Sequence, residues 1–430
     1  MNIQSGSYYW PTTLIDTPIY PKLAEDINCD VLIIGGGSSG AQCAYYLAET
    51  DLNVVLIEKN TIGSGSTSAN TALIQYAGEK MFINLQNTFG KAYIFKHLSL
   101  CKQAIDDIEK AAAQIKRDCS FIRRDTLYFA SHHEDVENLK KEYQLLKEAQ
   151  FPLQFLSRED IASIYPFSKE AAIYFQNDAE INPFIFTHGL IEFANNHDAK
   201  VYEQTKMTGH AYHEDGVTIY TDTKQKIHAK KVIYCAGYEN VELKNEKQAS
   251  FVSTYTVTTE PVNDFSTWPN RTLIWETARP YLYIRTTANN RVIIGGLDDN
   301  AIYAEDRDNK LIHKKDKLIQ EFNKLFPDIP VKPAYYLAAH YGGTRDGLPI
   351  IGQYKEAPHS YFLYGYGDNG MVYSQLLARI ISEDIITGES ANLPYYLQHR
   401  PKKKRNITCC LCIFINTTIS LREAIVVYFS

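Results

Sequence analysis

The stretch from Asp30 to Glu58, DVLIIGGGSSGAQCAYYLAETDLNVVLIE, constrains the fold more than any other part of the chain. Asp30-Val31-Leu32-Ile33-Ile34 is a short apolar run rich in β-branched residues, the pattern of a strand buried on both faces of a parallel sheet. It runs directly into Gly35-x-Gly37-x-x-Gly40, and AQCAYYLAE then reads as a helix. Asn53 to Ile57 forms a second apolar strand, closed by Glu58, 18 residues past Gly40. Glycines in a βαβ unit can serve packing alone. Strand, glycine turn, helix, strand and acid in this order instead point to a dinucleotide site. Gly35 makes the tight turn, Gly37 admits a pyrophosphate to the backbone, and Gly40 lets helix pack on strand. The diphosphate would lie on the helix N-terminus, where unpaired N–H groups and the dipole favour negative charge. Glu58 would accept from a ribose hydroxyl and repel a 2′-phosphate, which disfavours NADP.

A chain of 430 residues is too long for one simple core and suggests at least two intertwined domains. The net charge of −6 provides no basic field for nucleic acid. No run of about 20 apolar residues is present, so no spanning helix is expected. Cys29, Cys43, Cys101, Cys119 and Cys235 form neither a CxxC nor a Cys/His pattern. They read as reduced thiols in a cytoplasmic protein, with no metal site. MNIQSGSYYWPTT has neither the basic nor the apolar part of a secretory signal, and residues 1–27 read as a lead-in draped over the surface.

After Glu58 the loop KNTIGSGSTSANTALIQYAGE is crowded with small and hydroxyl residues. It leaves the second strand on the cofactor side, so Lys59, Ser64, Thr67 and Ser68 are candidate cofactor contacts rather than mere loop polarity. From Met81 to Ala149 the periodicity is helical, with Leu98, Cys101, Ile105, Ile108, Ala112 and Ile115 on one face. Ile227 to Cys235 reads as a strand ending in Ala236-Gly237, where a backbone can pass close to a ligand. Phe251 to Gly296 alternates as a β-meander, and period two places Tyr281, Tyr283 and Arg285 on one face. HYGGTRDGLPIIG and then YGYGDNGMVYSQLLARIISEDIITG follow, the latter a glycine-rich turn into a helix ending at Gly388. Beyond Arg400 the composition changes to PKKKRNITCCLCIFINTTISLREAIVVYFS, an atypical tail (401–430) to which no function is assigned.

With these pieces in order, residues 28 to 390 resemble the FAD-dependent D-amino-acid oxidase family, which includes glycine and sarcosine oxidases. GTRDGLPIIG followed by GYGDNG selects this family among dinucleotide-binding chains. The resemblance implies a Rossmann-type α/β FAD-binding domain interleaved with an α+β substrate domain built on an antiparallel sheet. The expected FAD pieces are 28–80, 171–240 and 335–390. A helical insertion and β-rich substrate part would take 81–170 and 241–334. It also implies oxidation of a C–N bond by hydride transfer to flavin, the imine then being hydrolysed and the flavin reoxidised by oxygen or another acceptor.

By motif position Gly35, Gly37, Gly40 and Glu58 would bind the ADP half, with Ser64, Thr67 and Ser68 facing phosphate or ribityl. Gly343, Thr344, Asp346, Gly367, Asn369, Gly370 and Met371 would surround the flavin end. Sarcosine oxidases tether their flavin through a cysteine ahead of the C-terminal motif; Ala339 stands there, so the FAD is expected to be non-covalent. Glycine oxidases hold the substrate carboxylate with an arginine at the position of Tyr341. Tyr341, Tyr283 and Arg285 are therefore the expected substrate-site residues, with Arg285 as replacement cation and Arg279 and Arg345 behind it. An amine dehydrogenase using a non-oxygen acceptor and a non-catalytic flavin-binding protein are the alternatives. The expected partner is a small amine or amino acid.

Overall fold

The computed structural model describes residues 3–78, 80–301 and 303–402. The tail 401–430 therefore lies outside the described residues except for its first two positions. Two sheets organise the chain. The eight-stranded sheet runs in the order 350–354, 357–364, 226–234, 27–34, 54–57, 200–202, with 217–221 and 207–212 attached beside 226–234. The first glycine-motif strand, Ile27–Ile34, is central, pairing in parallel with Lys226–Tyr234 on one side and Val54–Ile57 on the other. Its apolar run follows from that place: Leu32 and Ile33 are wholly buried, one on each face. Helices Ser38–Leu47, Pro183–Asn196 and Gly370–Thr387 pack together over the sheet.

The ten-stranded sheet runs 4–6, 333–344, 249–259, 292–299, 282–286, 273–276, 122–129, 171–180, 73–74, with 153–157 also on 171–180. Alternation decides its faces. Tyr255, Val257, Leu282, Ile284, Ile294 and Ala338 join Phe322 and Phe326, from and beside helix Leu311–Leu325, in one core. Thr254, Tyr283, Gly295 and Tyr341, one residue out of phase, are left for the opposite face, the one turned to the cofactor side.

The fold class is that expected, an α/β dinucleotide unit with a second, mainly antiparallel sheet, but three local readings change. Ala171–Glu180 and Pro333–Thr344, assigned above to the FAD pieces, pair within the larger sheet. Helix Lys91–Gln114, assigned to the insertion, packs instead on Gly370–Thr387. Strand membership depends on distant pairing partners, which periodicity does not carry. Secondly, Ile122–Phe129 interrupts the helical stretch as a strand between Leu273–Glu276 and Ala171–Glu180. Its charged start hid the alternation. There Arg124 Nη2 donates to Glu180, and Arg123 donates to Asp106 and Glu109. Thirdly, the lead-in does not simply drape: Gln4–Gly6 adds an edge strand to Leu337–Ala339, and Trp10 is buried with its indole N–H on Asn70 O at 2.6 Å.

Candidate functional site

The carboxyl ends of the parallel strands converge on a groove of about 430 Å³ whose wall includes Gly35, Gly37, Glu58, Thr67, Ala236 and Gly370. The crevice beyond such strand ends is where open α/β sheets bind ligands. Gly35 turns with φ +115°, and a Cβ there would meet the Cys235 carbonyl oxygen at 2.5 Å. A Cβ on Gly40 would lie 1.9 Å from the carbonyl oxygen of Gly35, so this glycine packs helix on turn. Gly37, by contrast, lines the groove, where a Cβ would meet only Thr67 Oγ1, at 3.3 Å. The start of helix Ser38–Leu47 thus faces the groove, with Ser38 and Ser39 in its wall.

Glu58 lines the same groove. Its Oε2 accepts from the Gly36 N–H at 2.7 Å and its Oε1 from the Asn60 N–H at 2.8 Å, fixing the carboxylate at the second strand's end. Burial pushes its pKa up, while the two backbone N–H groups pull it down. Thr67 Oγ1 accepts from Ser38 N–H at 3.0 Å and so ties the hydroxyl-rich loop to the helix start. Ser64, Lys59 and Gly237 also line the groove, Lys59 being ion-paired with Glu239.

Other expected contacts support the groove from behind. Ser68 Oγ donates to Gly63 O at 2.7 Å, Thr344 Oγ1 to Leu348 O at 2.8 Å, and Asn369 Nδ2 to Ala77 O at 2.6 Å. Met371 is buried and receives the Ser38 hydroxyl on its sulfur. Gly343 lies in the strand paired with Ser250 and walls neither cavity. Asp346 is turned away, paired with Arg400.

A second cavity of about 110 Å³ adjoins the groove, the two sharing Ser66, Asn70, Tyr238 and Gly370 as walls. Tyr238, Trp275, Tyr281, Tyr283, Tyr341 and Asp368 line it, as does Gly367. Trp275 pairs with Tyr283 across neighbouring strands and stacks on Tyr128 with ring centroids 3.9 Å apart. Tyr281 and Tyr283 lie 5.4 Å apart.

Of the expected substrate residues, Tyr341 and Tyr283 are in this wall and Arg285 is not. Arg285 follows the strand face as predicted, but its guanidinium is drawn beneath the loop by backbone carbonyls. Nη1 donates to the carbonyls of Thr71, Ala72 and Ile181 at 3.0, 2.6 and 2.9 Å, and Nε to Thr286 O at 2.8 Å. Arg345 borders a separate recess with Lys80 and Lys402. Sequence reasoning missed Ser38, Tyr238, Trp275 and Asp368. Ser38 and Asp368 sit inside motifs already singled out, whereas Trp275 becomes visible only once its strand is paired with that of Tyr283.

Comparison with known proteins agrees with this geometry. The family model of FAD-dependent oxidoreductases, DAO, matches residues 30–384. The chain is 26% identical over 230 residues to the putative Rieske 2Fe-2S iron-sulfur protein YhfW of Bacillus subtilis, a match spanning 54% of this chain and 44% of that protein. It is 24% identical over 415 residues to gamma-glutamylputrescine oxidoreductase of Escherichia coli, covering 92% of this chain and 93% of the relative. The crystal structure of glycine oxidase from Geobacillus kaustophilus superimposes with a TM-score of 0.70 at 20% identity, covering 86% of this chain and 98% of that one. With the match running from the first glycine-motif strand to the helix after GYGDNG, the chain belongs to the DAO family of FAD-dependent oxidoreductases.

Proposed function

We propose that this enzyme oxidises the C–N bond of an amine or amino acid. The observation that carries the reading is that the aromatic cavity adjoins the dinucleotide groove, Tyr238 and Gly370 walling both. The groove's residues fit FAD: the glycine turn and the helix start in its wall suit a diphosphate, and the fixed Glu58 carboxylate suits a ribose diol. Bound flavin supplies the two-electron acceptor that no side chain here can provide.

The chain's own residues bind, orient and exclude water. Tyr283, Trp275 and Tyr281 form an apolar wall against which the substrate's α-carbon is held, and the Tyr341 ring bounds it from a neighbouring part of the sheet. The α-carbon would give its hydride to bound flavin as the neutral nitrogen's lone pair closes the C=N bond, and water would hydrolyse the resulting imine to a carbonyl compound and ammonia or a smaller amine. The names of gamma-glutamylputrescine oxidoreductase and glycine oxidase, an amine and an amino-acid enzyme, bracket this substrate range. The five described cysteines are all unbridged and buried, which fits the reducing cytoplasm. Among the described residues no helix is long and apolar enough to cross a membrane.

Anaerobic mixing of the FAD-loaded protein with a panel of amines and amino acids tests the reading. Bleaching of the flavin by some member is expected. A flavin that stays oxidised with all of them would support a non-catalytic flavin-binding protein. Repeating the turnover with an oxygen electrode separates an oxidase from a dehydrogenase using another acceptor.

A further inference from the structure

We infer that the cavity beside the groove selects a carboxylate-free amine, recognised as its ammonium ion by an aromatic box and the Asp368 carboxylate, which takes the ammonium proton before the nitrogen's lone pair can form the imine. The inference rests on the amine or amino-acid reading above and narrows it. Three observations carry it.

The wall contains rings where a carboxylate site would need a cation. Tyr238, Trp275, Tyr281, Tyr283 and Tyr341 surround the space, and no lysine or arginine is among its described lining residues. A carboxylate closed into such a space is left without a partner, and that is costly. An ammonium ion gains from the negative faces of the same rings, most strongly where water is excluded.

The arginines near enough to change this balance are committed elsewhere. Arg285 donates through Nη1 and Nε to the carbonyls of Thr71, Ala72, Ile181 and Thr286. Arg279 stands outside the lining, 4.8 Å from the Tyr281 ring, with Nη1 donating to Ala278 O at 2.8 Å and Glu276 O at 3.2 Å. His340 is the one imidazole in the wall, and burial, together with Arg307, lowers its pKa and so favours the neutral form.

Among the described lining residues the one formally charged group is the Asp368 carboxylate. Asp368 is in the wall itself, and Asp298 stands close enough behind to add to burial in raising the hydroxyl pKa of Tyr283, which reaches about 12. The box is also built to hold its shape. Gly295 lies opposite Tyr283 in the sheet, and a Cβ there would come within 2.3 Å of the Tyr283 ring. The absence of a side chain at that one position is what lets the ring lie flat across the neighbouring strand.

Two probes that cannot be oxidised test recognition without relying on turnover. Tetramethylammonium and trimethylacetate are similar in shape and opposite in charge. Each is titrated into the FAD-loaded protein while the flavin's visible spectrum, normalised to bound FAD, reports binding. Tetramethylammonium is expected to bind at least tenfold more tightly, and Tyr281→Leu and Asp368→Asn each to weaken it by about tenfold while neither weakens trimethylacetate. Tighter binding of trimethylacetate would overturn the inference, as would equal loss of both probes in Asp368→Asn. Butylamine and norvaline, which differ only by the carboxylate, then separate the two proposals. Bleaching by butylamine alone supports both, and bleaching by norvaline in preference overturns the substrate class while the oxidoreductase reading stands. Ammonium selectivity with no bleaching by any amine supports the recognition site and rejects amine oxidation.

Discussion

Asp346 and Arg400, far apart in sequence, form a buried two-pronged ion pair. Arg400 Nε lies 3.2 Å from Oδ2 and Nη2 donates to Oδ1, both side chains being almost wholly inaccessible. Burial alone would raise the Asp346 pKa; Arg400, with Lys402, outweighs it and holds the carboxyl below its ordinary value. The same guanidinium donates to Pro349 O and Leu348 O, so it clasps the turn that follows Thr344 to the end of the described chain. This replaces the expected flavin contact for Asp346.

Removing one partner of such a pair leaves the other charge buried. Arg400→Met should therefore lower unfolding free energy by about 3–5 kcal/mol. Lys402, half-exposed and 3.3 Å from Oδ2, is a poor substitute. Urea denaturation of variant and parent checks this. An unchanged midpoint and slope would show that the clasp is dispensable.

Glu58→Ala should weaken FAD binding by at least tenfold while the protein stays folded. A charge-assisted hydrogen bond is worth about 1.5–3 kcal/mol. The variant also frees the Gly36 and Asn60 N–H groups that shape the turn. Glu58→Gln, which keeps one acceptor, should fall between the two. Flavin release on dilution, followed by fluorescence, gives the constants; equal retention by all three proteins would place the ribose elsewhere.

The FAD should be bound without a covalent link. Ala339 offers no sulfur, and His340, with an imidazole capable of attachment, is the residue to watch. Acid precipitation should leave the yellow colour in the supernatant. A yellow pellet would sink the expectation and send attention to His340.

Arg285→Met should act on stability rather than on substrate choice. It strips donors from four buried carbonyls and leaves Glu180, 3.9 Å away, with one cation fewer. A loss of about 3–5 kcal/mol is expected. Any surviving flavin reduction should change equally for an amino acid and its decarboxylated amine. A loss confined to the amino acid would restore Arg285 to the substrate site.

Stability should fall as pH rises from about 5 to 8, in part because of two buried carboxyls. Burial raises Glu142 and Asp178 each to about 7, against ordinary values of 4.5 and 3.8. The folded state then keeps protons that the unfolded chain has already released. The stabilisation is complete below the ordinary values and is lost as pH climbs through about 7, with on the order of 2 kcal/mol per group lost between about pH 5 and 8. Glu142 accepts from the Phe82 and Ile83 N–H groups, and Asp178 from Tyr76 N–H and Thr126 O–H. Melting temperatures across this range should decline less in Glu142→Gln and Asp178→Asn. Identical slopes would assign the pH dependence to other groups.

What the sequence determined by itself is what short-range physics decides. The four apolar residues Val31, Leu32, Ile33 and Ile34, the motif glycines Gly35, Gly37 and Gly40 and the following helix must form one turn, because glycine conformations and helix-start amides act over neighbouring residues. Hence the glycine turn and the place of Glu58 at the second strand's end were legible, as was the placing of Tyr281, Tyr283 and Arg285 on one strand face. Only the tertiary structure decided what those faces meet. Strand pairing put Trp275 beside Tyr283, moved Ala171–Glu180 and Pro333–Thr344 into the larger sheet, and made a strand of Ile122–Phe129. The carbonyls that satisfy Arg285 come from Thr71, Ala72 and Ile181, and the cation that satisfies Asp346 comes from Arg400. A buried charge takes whichever partner the packed chain brings within hydrogen-bonding reach, and no local pattern encodes a partner fifty or more residues away.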